Sequence, residues 1–228
     1  MTQIETVDIE ETLVARSALY GLLQRVFSDV PDDDLARNES SAVMDQCFDV
    51  LRLAYGLEDR RSVAIGEVAA RAQSDGTCME TDWTLEGEYT RLFVGVGKPA
   101  VCLWESICIT GVNALFQPGT LAVRQFYASL GFEARDKGRV ADDHMAIELA
   151  FMRELALAAS REVNPRRMEL LQAQCAFLAE HLSRWVDSFA EQVVASDKSG
   201  YYAGYARLLA DFVACDGEFL AGITSGDS

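Results

Sequence analysis

Apolar side chains recur along this 228-residue sequence at the spacing of an α-helix, and the whole chain contains only four prolines. In the first such run, Leu13, Tyr20 and Phe27 are seven positions apart and would share one helix face. A half-buried strand would instead need strict alternation of apolar and polar residues, and we find no convincing run of that kind. The pattern therefore predicts an all-α fold, a helical bundle of about nine to twelve helices.

Local signals in the amino-terminal half predict where several helices begin and end. Asp8, with a glutamate three residues later, resembles a capping box, so the first helix should start there and end near Phe27. A further helix is expected at about 58–73. The next helix carries an apolar and aromatic face, and Gly95 with the residues up to Pro99 should end it. Because the Gly-x-Gly here follows a helix and has no third glycine, we expect no nucleotide-binding loop.

In the carboxy-terminal half, Thr120 is predicted to cap a helix that Gly131 ends in a left-handed conformation. A loop of mixed charge over 132–140 follows it. Asp142 is then expected to cap a helix from Asp143 to about residue 160, and two long helices complete the chain.

The balance of charge limits which partners the protein can have. Acidic residues outnumber basic ones by 36 to 20, so the formal net charge is −16. A field of that sign repels nucleic-acid phosphates and anionic lipid headgroups, whereas it attracts a peptide that carries adjacent arginines. Residues 1–9 contain neither a basic stretch nor an apolar run, and no eighteen apolar residues follow one another. We therefore expect a cytoplasmic protein that neither binds nucleic acid nor inserts into a membrane.

The six cysteines are scattered without any C-x-x-C pair. This spacing fits neither a zinc site nor the disulfide framework of a small secreted domain. We therefore expect buried thiols that pack as small apolar side chains and are dispensable for function, and we expect no metal or cofactor.

Four residues could in principle carry chemistry. His144 and Glu148 are four positions apart on a predicted helix, which is a geometry able to hold a metal ion. An imidazole beside Asp143 could also activate the Ser106 hydroxyl as a nucleophile, although no nucleophile elbow surrounds Ser106. A metal-dependent or serine hydrolase is thus one alternative function, and a helical scaffold is another. The structural alternative is that Asp142 and Asp143 only cap the helix.

Four motifs follow one another along the chain at a recognisable spacing. They are Glu88-Tyr89-x-Arg91-Leu92-Phe93-x-Gly95, Trp104-Glu105-Ser106, Thr120-Leu121-x-Val123-Arg124-x-x-Tyr127, and Asp143-His144 at the start of a helix. Their order and spacing resemble those of the TorD/DmsD family of redox-enzyme maturation chaperones, over roughly Tyr89 to Phe212. The resemblance implies an all-helical, non-enzymatic protein, either monomeric or a segment-swapped dimer.

The same resemblance implies a function and a binding site. Members of this family bind the twin-arginine leader or the apo catalytic subunit of dimethyl sulfoxide or trimethylamine N-oxide reductase-like molybdoenzymes, and delay export until the molybdopterin cofactor is inserted. Residues 1–228 would form one TorD-like domain, with a hinge near 132–143. The residues expected to bind the leader are Tyr89, Leu92, Phe93, Trp104, Glu105, Ser106, Asp142, Asp143 and His144.

At two places next to these predicted site residues, the sequence differs from the family pattern. Family members usually have a Glu-Pro pair before Asp-His, where this chain has Val140-Ala141-Asp142, and a proline before the tryptophan, where it has Leu103. Client specificity should therefore differ. If Asp142 caps the helix, Asp143 should be free to pair with an arginine of the ligand.

Overall fold

The computed structural model describes residues 8–32, 35, 39–58, 84–95, 98–133 and 140–225. Within these ranges all regular elements are helical, and nine of them are α-helices, which confirms the predicted all-α fold. The predicted helix at 58–73 lies outside the described residues apart from Glu58. The helices are α1 (Ile9–Ser28), α2 (Ala42–Tyr55), α3 (Leu85–Tyr89), α4 (Glu105–Thr110), α5 (Pro118–Ser129), α6 (Met145–Arg161), α7 (Arg166–Glu180), α8 (Val186–Ser196) and α9 (Tyr201–Ser225).

Two short irregular helical turns join these elements. A π-helical turn, Thr90–Val94, continues α3, and a 3₁₀ turn, Leu182–Arg184, links α7 to α8. In the part of the chain that the structure describes, no helix is both long and apolar enough to cross a bilayer.

Helix α1 begins where the sequence predicts, because the Asp8 side chain accepts a hydrogen bond from the Glu10 N–H at 2.9 Å. It ends at Ser28, one residue beyond the predicted end. Its apolar face packs mainly along α6 and also against α2. The first helix and the second half of the chain therefore share one apolar core.

A buried charge network ties α1 to α9 at the centre of this core. Arg16 and Asp216 are both fully buried, and the guanidinium Nη2 donates to Asp216 Oδ2 at 2.8 Å and to Gln174 Oε1 at 2.8 Å. The Tyr20 hydroxyl also donates to Asp216, at 2.7 Å. Burial and the Asp216 carboxylate raise the pKa of Tyr20, so this phenol stays protonated and continues to donate.

The α3 segment ends at Gly95, as the sequence predicts. Gly95 has φ +69°, and a Cβ atom there would lie 2.8 Å from the Lys98 backbone carbon. Only glycine fits both the backbone angle and the close approach of the returning chain. The Leu92 carbonyl then accepts a hydrogen bond from the Val101 N–H at 2.9 Å, so the helix fixes the position of the segment 98–103.

The predicted start of α5 at Thr120 is wrong. The helix begins at Pro118, with Gln117 preceding it, and Thr120 is fully buried in the first turn. Proline has no N–H to leave unpaired in the first turn and its φ is already helical, so Pro118 starts the helix earlier than the threonine would. At the other end the prediction is confirmed, since Gly131 follows the helix at φ 73°.

Candidate functional site

Two of the sequence motifs meet through their backbones. The Glu105 N–H donates to the Asp143 carbonyl at 2.9 Å, and the Met145 N–H donates to the Leu103 carbonyl at 2.8 Å, which makes an antiparallel bridge between Trp104 and His144. This bridge joins the segment before α4 to the segment before α6. The starts of both helices are therefore fixed against each other.

The residue that caps α6 is His144. Its backbone is extended at φ −81° and ψ 137°, and its Nδ1 accepts a hydrogen bond from the Ala146 N–H at 3.2 Å. The predicted cap, Asp142, is wrong, because Asp142 and Asp143 form a turn, the bridge holds His144 in an extended conformation, and the first helical turn begins only at Met145. Asp142 instead accepts a hydrogen bond from Arg124 Nε at 2.7 Å.

Asp143 acts on a different helix from the one it precedes. Its Oδ2 accepts a hydrogen bond from the Ser106 N–H at 3.0 Å, so it satisfies a first-turn donor of α4 across the bridge. The side chain is fully buried. In this conformation Asp143 is therefore engaged with α4 through Oδ2, while Oδ1 has no hydrogen-bond partner among the described residues, and the pairing of Asp143 with a ligand arginine stays a prediction.

Trp104 is the one residue of these two motifs that lies beside a cavity. Its indole packs edge to face against the His144 ring, with centroids 5.0 Å apart and planes at 77°. The cavity has a volume of about 410 Å³, and its wall includes Pro99, Cys102, Ile107 and Leu115. The bridge and the imidazole thus hold a large aromatic side chain at the edge of a mostly apolar hollow.

Exposed apolar side chains continue from this cavity along the last turn of α4 and the segment between α4 and α5. We call Ile109, Val112, Leu115 and Phe116 the apolar rim, and each of them is between 41% and 55% exposed. Phe116 also has φ 59°, a left-handed angle that is unfavourable for a bulky side chain. Backbone strain of this kind often accompanies binding segments, and contiguous apolar exposure marks interaction surfaces.

Tyr89, Leu92 and Phe93 do not reach this surface. All three are at most 5% exposed, and Phe93 packs against Phe27, Phe189 and Tyr202. Their spacing is that of a core face, and it is the resemblance that assigned them to a groove. Their part in ligand binding stays a prediction, and in this conformation they pack in the core.

Below Trp104 lies a cluster of buried polar groups that the sequence does not indicate. The Glu105 carboxylate lies 3.1 Å from His181 Nδ1, and the Trp185 indole N–H donates to Glu148 Oε2 at 3.2 Å. Burial, reinforced by the charge of Glu105, raises the pKa of Glu148 well above its usual value. Burial lowers the pKa of His144 to about 4. At neutral pH, His144 is therefore uncharged, and burial favours the protonated form of Glu148 more than in an exposed glutamate.

The geometry does not assemble a hydrolytic site. Asp143 contacts the Ser106 backbone rather than its hydroxyl, and the Ser106 Oγ has no hydrogen-bond partner among the described residues. The Nδ1 of His144 is occupied by the α6 backbone. Nor do the described residues bring together three His, Cys, Asp or Glu side chains able to hold a metal ion.

Comparison with known proteins identifies the family. A family model described as the nitrate reductase delta subunit matches residues 69–191, which is more than half of the chain. The chain belongs to the TorD family. A protein named chaperone protein TorD from Photobacterium profundum is 30% identical over 139 residues, covering 60% of this chain and 64% of the relative. One of the same name from Vibrio cholerae is 26% identical over 208 residues, covering 88% of this chain and 90% of the relative.

Membership of the TorD family confirms the resemblance on which the site was predicted. The protein is a redox-enzyme maturation chaperone and not an enzyme, in keeping with the chaperone names of its relatives. The hydrolase alternative built on Ser106, Asp143, His144 and Glu148 is thus supported neither by the geometry of the site nor by the family to which the chain belongs.

Proposed function

We propose that this TorD-family chain is a cytoplasmic chaperone that binds the twin-arginine leader, the apo catalytic subunit, or both, of a dimethyl sulfoxide or trimethylamine N-oxide reductase-like molybdoenzyme. Binding delays export of the client until its molybdopterin cofactor is inserted. The observation that carries the proposal is the cavity of about 410 Å³ beside Trp104, with the apolar rim running away from it.

A twin-arginine leader combines two features that this surface matches. Its apolar stretch would cover the apolar rim, where burying one large side chain contributes roughly 1.5–3 kcal/mol. Its arginines would be attracted by the net charge of −16 and would find the face of Trp104 within reach. Aromatic anchors beside a pocket commonly dominate the energy of peptide binding.

The predicted site residues then take two different roles in the proposal. Trp104 contacts the leader directly. Glu105, Ser106, Asp143 and His144 hold Trp104 and the cavity in place through the bridge and the caps, and Asp142 pairs with Arg124 at the wall of a different cavity. Substitutions in this second group should therefore change stability together with affinity.

Titration of a labelled peptide with two arginines and an apolar stretch tests the leader-binding surface. Trp104→Ala should weaken binding about tenfold, which corresponds to about 1.4 kcal/mol. Val112→Ser with Phe116→Ser should weaken it similarly without lowering the melting temperature, because both side chains are half exposed. Unchanged affinity in both variants would show that the leader binds elsewhere.

Val163→Ser is the matched control for these surface changes. Val163 is 72% exposed and follows α6, whose opposite end begins at the Trp104 bridge about 25 Å away along the helix. This variant should bind the peptide like the parent protein. A peptide with both arginines replaced by alanine separates the contribution of charge from that of the apolar stretch.

Whether the chaperone distinguishes the apo subunit from the cofactor-loaded subunit needs a separate experiment. The tagged chaperone would be used to capture the molybdoenzyme subunit from cells that make the molybdopterin cofactor and from cells that cannot. The proposal expects the apo subunit to be captured and the cofactor-loaded subunit to be released. Equal capture of both forms would contradict a role in delaying export until cofactor insertion.

A further inference from the structure

Two cysteines meet in the wall of the cavity beside Trp104. Cys102 lies in the segment that leads into α4, and Cys108 lies on α4 itself. The Cys108 thiol donates a hydrogen bond to the Cys102 carbonyl at 3.5 Å, and the two thiols also interact with each other. Both side chains are half-buried and both line the cavity, so small molecules that enter it can reach them.

The surroundings distinguish the two thiols. The nearby Cys108 thiol outweighs burial and, with the Trp104 backbone N–H and the charge of Lys98, lowers the pKa of Cys102 to about 7, although Asp143 opposes this. The Cys102 interaction and burial, with Glu148 and Asp143, raise the pKa of Cys108. Cys102 is therefore the thiol that ionises first, and Cys108 is its protonated neighbour.

We propose that Cys102 and Cys108 form a redox-active dithiol that closes to a disulfide when the protein meets a peroxide. The Cys102 thiolate attacks one peroxide oxygen, the O–O bond breaks, and Cys102 becomes a sulfenic acid while hydroxide leaves. The Cys108 sulfur then displaces the hydroxyl of the sulfenic acid, and its proton leaves with that hydroxyl as water. Two thiols are oxidised and hydrogen peroxide is reduced to water.

The sequence alone did not indicate this pair, because five residues separate the cysteines and that spacing is not a recognised redox motif. The contact arises from the fold. The Trp104–His144 bridge holds the segment 102–104 extended, and α4 then turns back so that its second turn faces that segment. The expectation that the cysteines are inert apolar side chains is thus replaced, for these two, by a chemical role.

The sequence also provides a sharp assay. Trypsin does not cleave the Lys98–Pro99 bond, so the peptide 92–124 carries Cys102 and Cys108 and no other cysteine. After hydrogen peroxide treatment, neither thiol of this peptide should accept an alkylating agent. Cleavage after Glu105, its one acidic residue, should then leave two fragments joined by the disulfide. Two thiols that stay open to alkylation under these conditions would overturn the proposal.

Single variants test the order of the two steps. In Cys108→Ser the reaction should stop at a sulfenic acid on Cys102, which dimedone would label about tenfold faster than the half-buried Cys215 of the same protein. In Cys102→Ser, Cys108 should remain a thiol. Equal labelling of Cys102 and Cys215 would contradict the assignment of Cys102 as the attacking thiol.

A last step rests on the proposed leader-binding function. Because both cysteines line the cavity, a bound leader peptide should slow formation of the disulfide about tenfold at saturation. The two failures are distinguishable in this experiment. A disulfide that forms at the same rate with saturating leader would move the leader away from the cavity and leave the dithiol intact, whereas no disulfide in the free protein would overturn the dithiol itself.

Discussion

Trp104 and His144 lie opposite each other on an antiparallel backbone bridge, and their rings pack edge to face at 5.0 Å. The imidazole that supports the tryptophan also caps α6 through Nδ1. The orientation of the half-buried Trp104 side chain therefore depends on the same residue that starts the central helix. A change in the protonation of His144 must affect both.

The first prediction concerns acid sensitivity at His144. Burial lowers the pKa of this imidazole to about 4, whereas the unfolded chain takes up the proton near pH 6.5. Between these values the unfolded state binds more protons, so the folded state loses stability as the pH falls, by roughly 1–3 kcal/mol. His144→Asn retains a capping oxygen but does not titrate. Urea unfolding at pH 7 and at pH 4.5 should show a smaller loss in the variant.

The comparison between variant and parent at each pH isolates this one group, because the carboxylates that titrate in the same range are common to both proteins. His144→Ala, which removes the cap as well, should lower the free energy of unfolding by about 1 kcal/mol at pH 7. Equal pH dependence in the parent and the asparagine variant would mean that His144 stays accessible to protons in the folded state.

The second prediction concerns the buried carboxyl of Glu148, whose pKa is shifted in the opposite direction. Burial raises its folded pKa above the ordinary value of 4.5, so the stability it gives is complete below that pH and is lost as the pH rises. Glu148→Gln mimics the protonated form. It can also accept the Trp185 hydrogen bond. At pH 8 the variant should be more stable than the parent by about 1–3 kcal/mol, with little difference at pH 4.5.

Glu154→Gln is the control for this gain, since Glu154 lies on the same helix with its side chain 52% exposed. Its unfolding should match the parent at both pH values. If Glu148→Gln is less stable than the parent at pH 8, Glu148 must be ionised in the folded protein and paired with a cation.

The third prediction concerns the charge network between α1 and α9. Asp216→Ala leaves the fully buried Arg16 guanidinium without its carboxylate and should lower the free energy of unfolding by about 3–5 kcal/mol. Arg16→Met combined with Asp216→Leu removes both charges and should recover much of that loss. Glu218→Ala, on an exposed position of the same helix, should change little. A double variant no more stable than Asp216→Ala would show that the network stabilises the core beyond pairing two charges.

The parts of the fold that depend on local signals could be predicted from the sequence. Asp8 starts α1 because its own side chain accepts a hydrogen bond from the first turn, and Gly95 and Gly131 end helices because their positive φ angles favour glycine. The helical spacing of the apolar residues likewise predicted the all-α class. Each of these features involves residues only a few positions apart.

The errors lie where distant segments decide the outcome. Asp142 is a reasonable cap by sequence, but the bridge to Leu103 and Glu105 fixes the start of α6 two residues later. Asp143 caps α4 from 37 positions away. These interactions depend on pairing that a single sequence does not show.

Arg16 and Asp216 are 200 positions apart, yet the sequence contains a pattern from which a buried ion pair could have been predicted. Arg16 lies three residues after Leu13 and Asp216 four residues after Phe212, so each charge falls on the apolar face of its helix. Opposite charges at such positions predict a buried ion pair because neither could be buried alone. The sequence does not say which two helices bring them together.

The final prediction concerns the contribution of charge to leader binding. The attraction between a net charge of −16 and two leader arginines acts mainly between exposed groups, because Asp143 is buried and engaged with α4. Salt screens such attraction over about 8 Å at physiological ionic strength. Affinity for the labelled leader should therefore fall severalfold between low and high salt, mainly through slower association, and should then level off.

The level that remains at high salt should come from the apolar rim and Trp104, because burial of apolar surface does not weaken with screening. Val112→Ser with Phe116→Ser should lower that level while leaving the slope against salt unchanged. The peptide with alanines in place of its arginines should do the reverse, with a flat salt dependence and the same final level. If the affinity of the twin-arginine peptide does not change with salt, the exposed acidic residues contribute to solubility and not to leader binding. Any contact with the leader arginines would then come from buried groups.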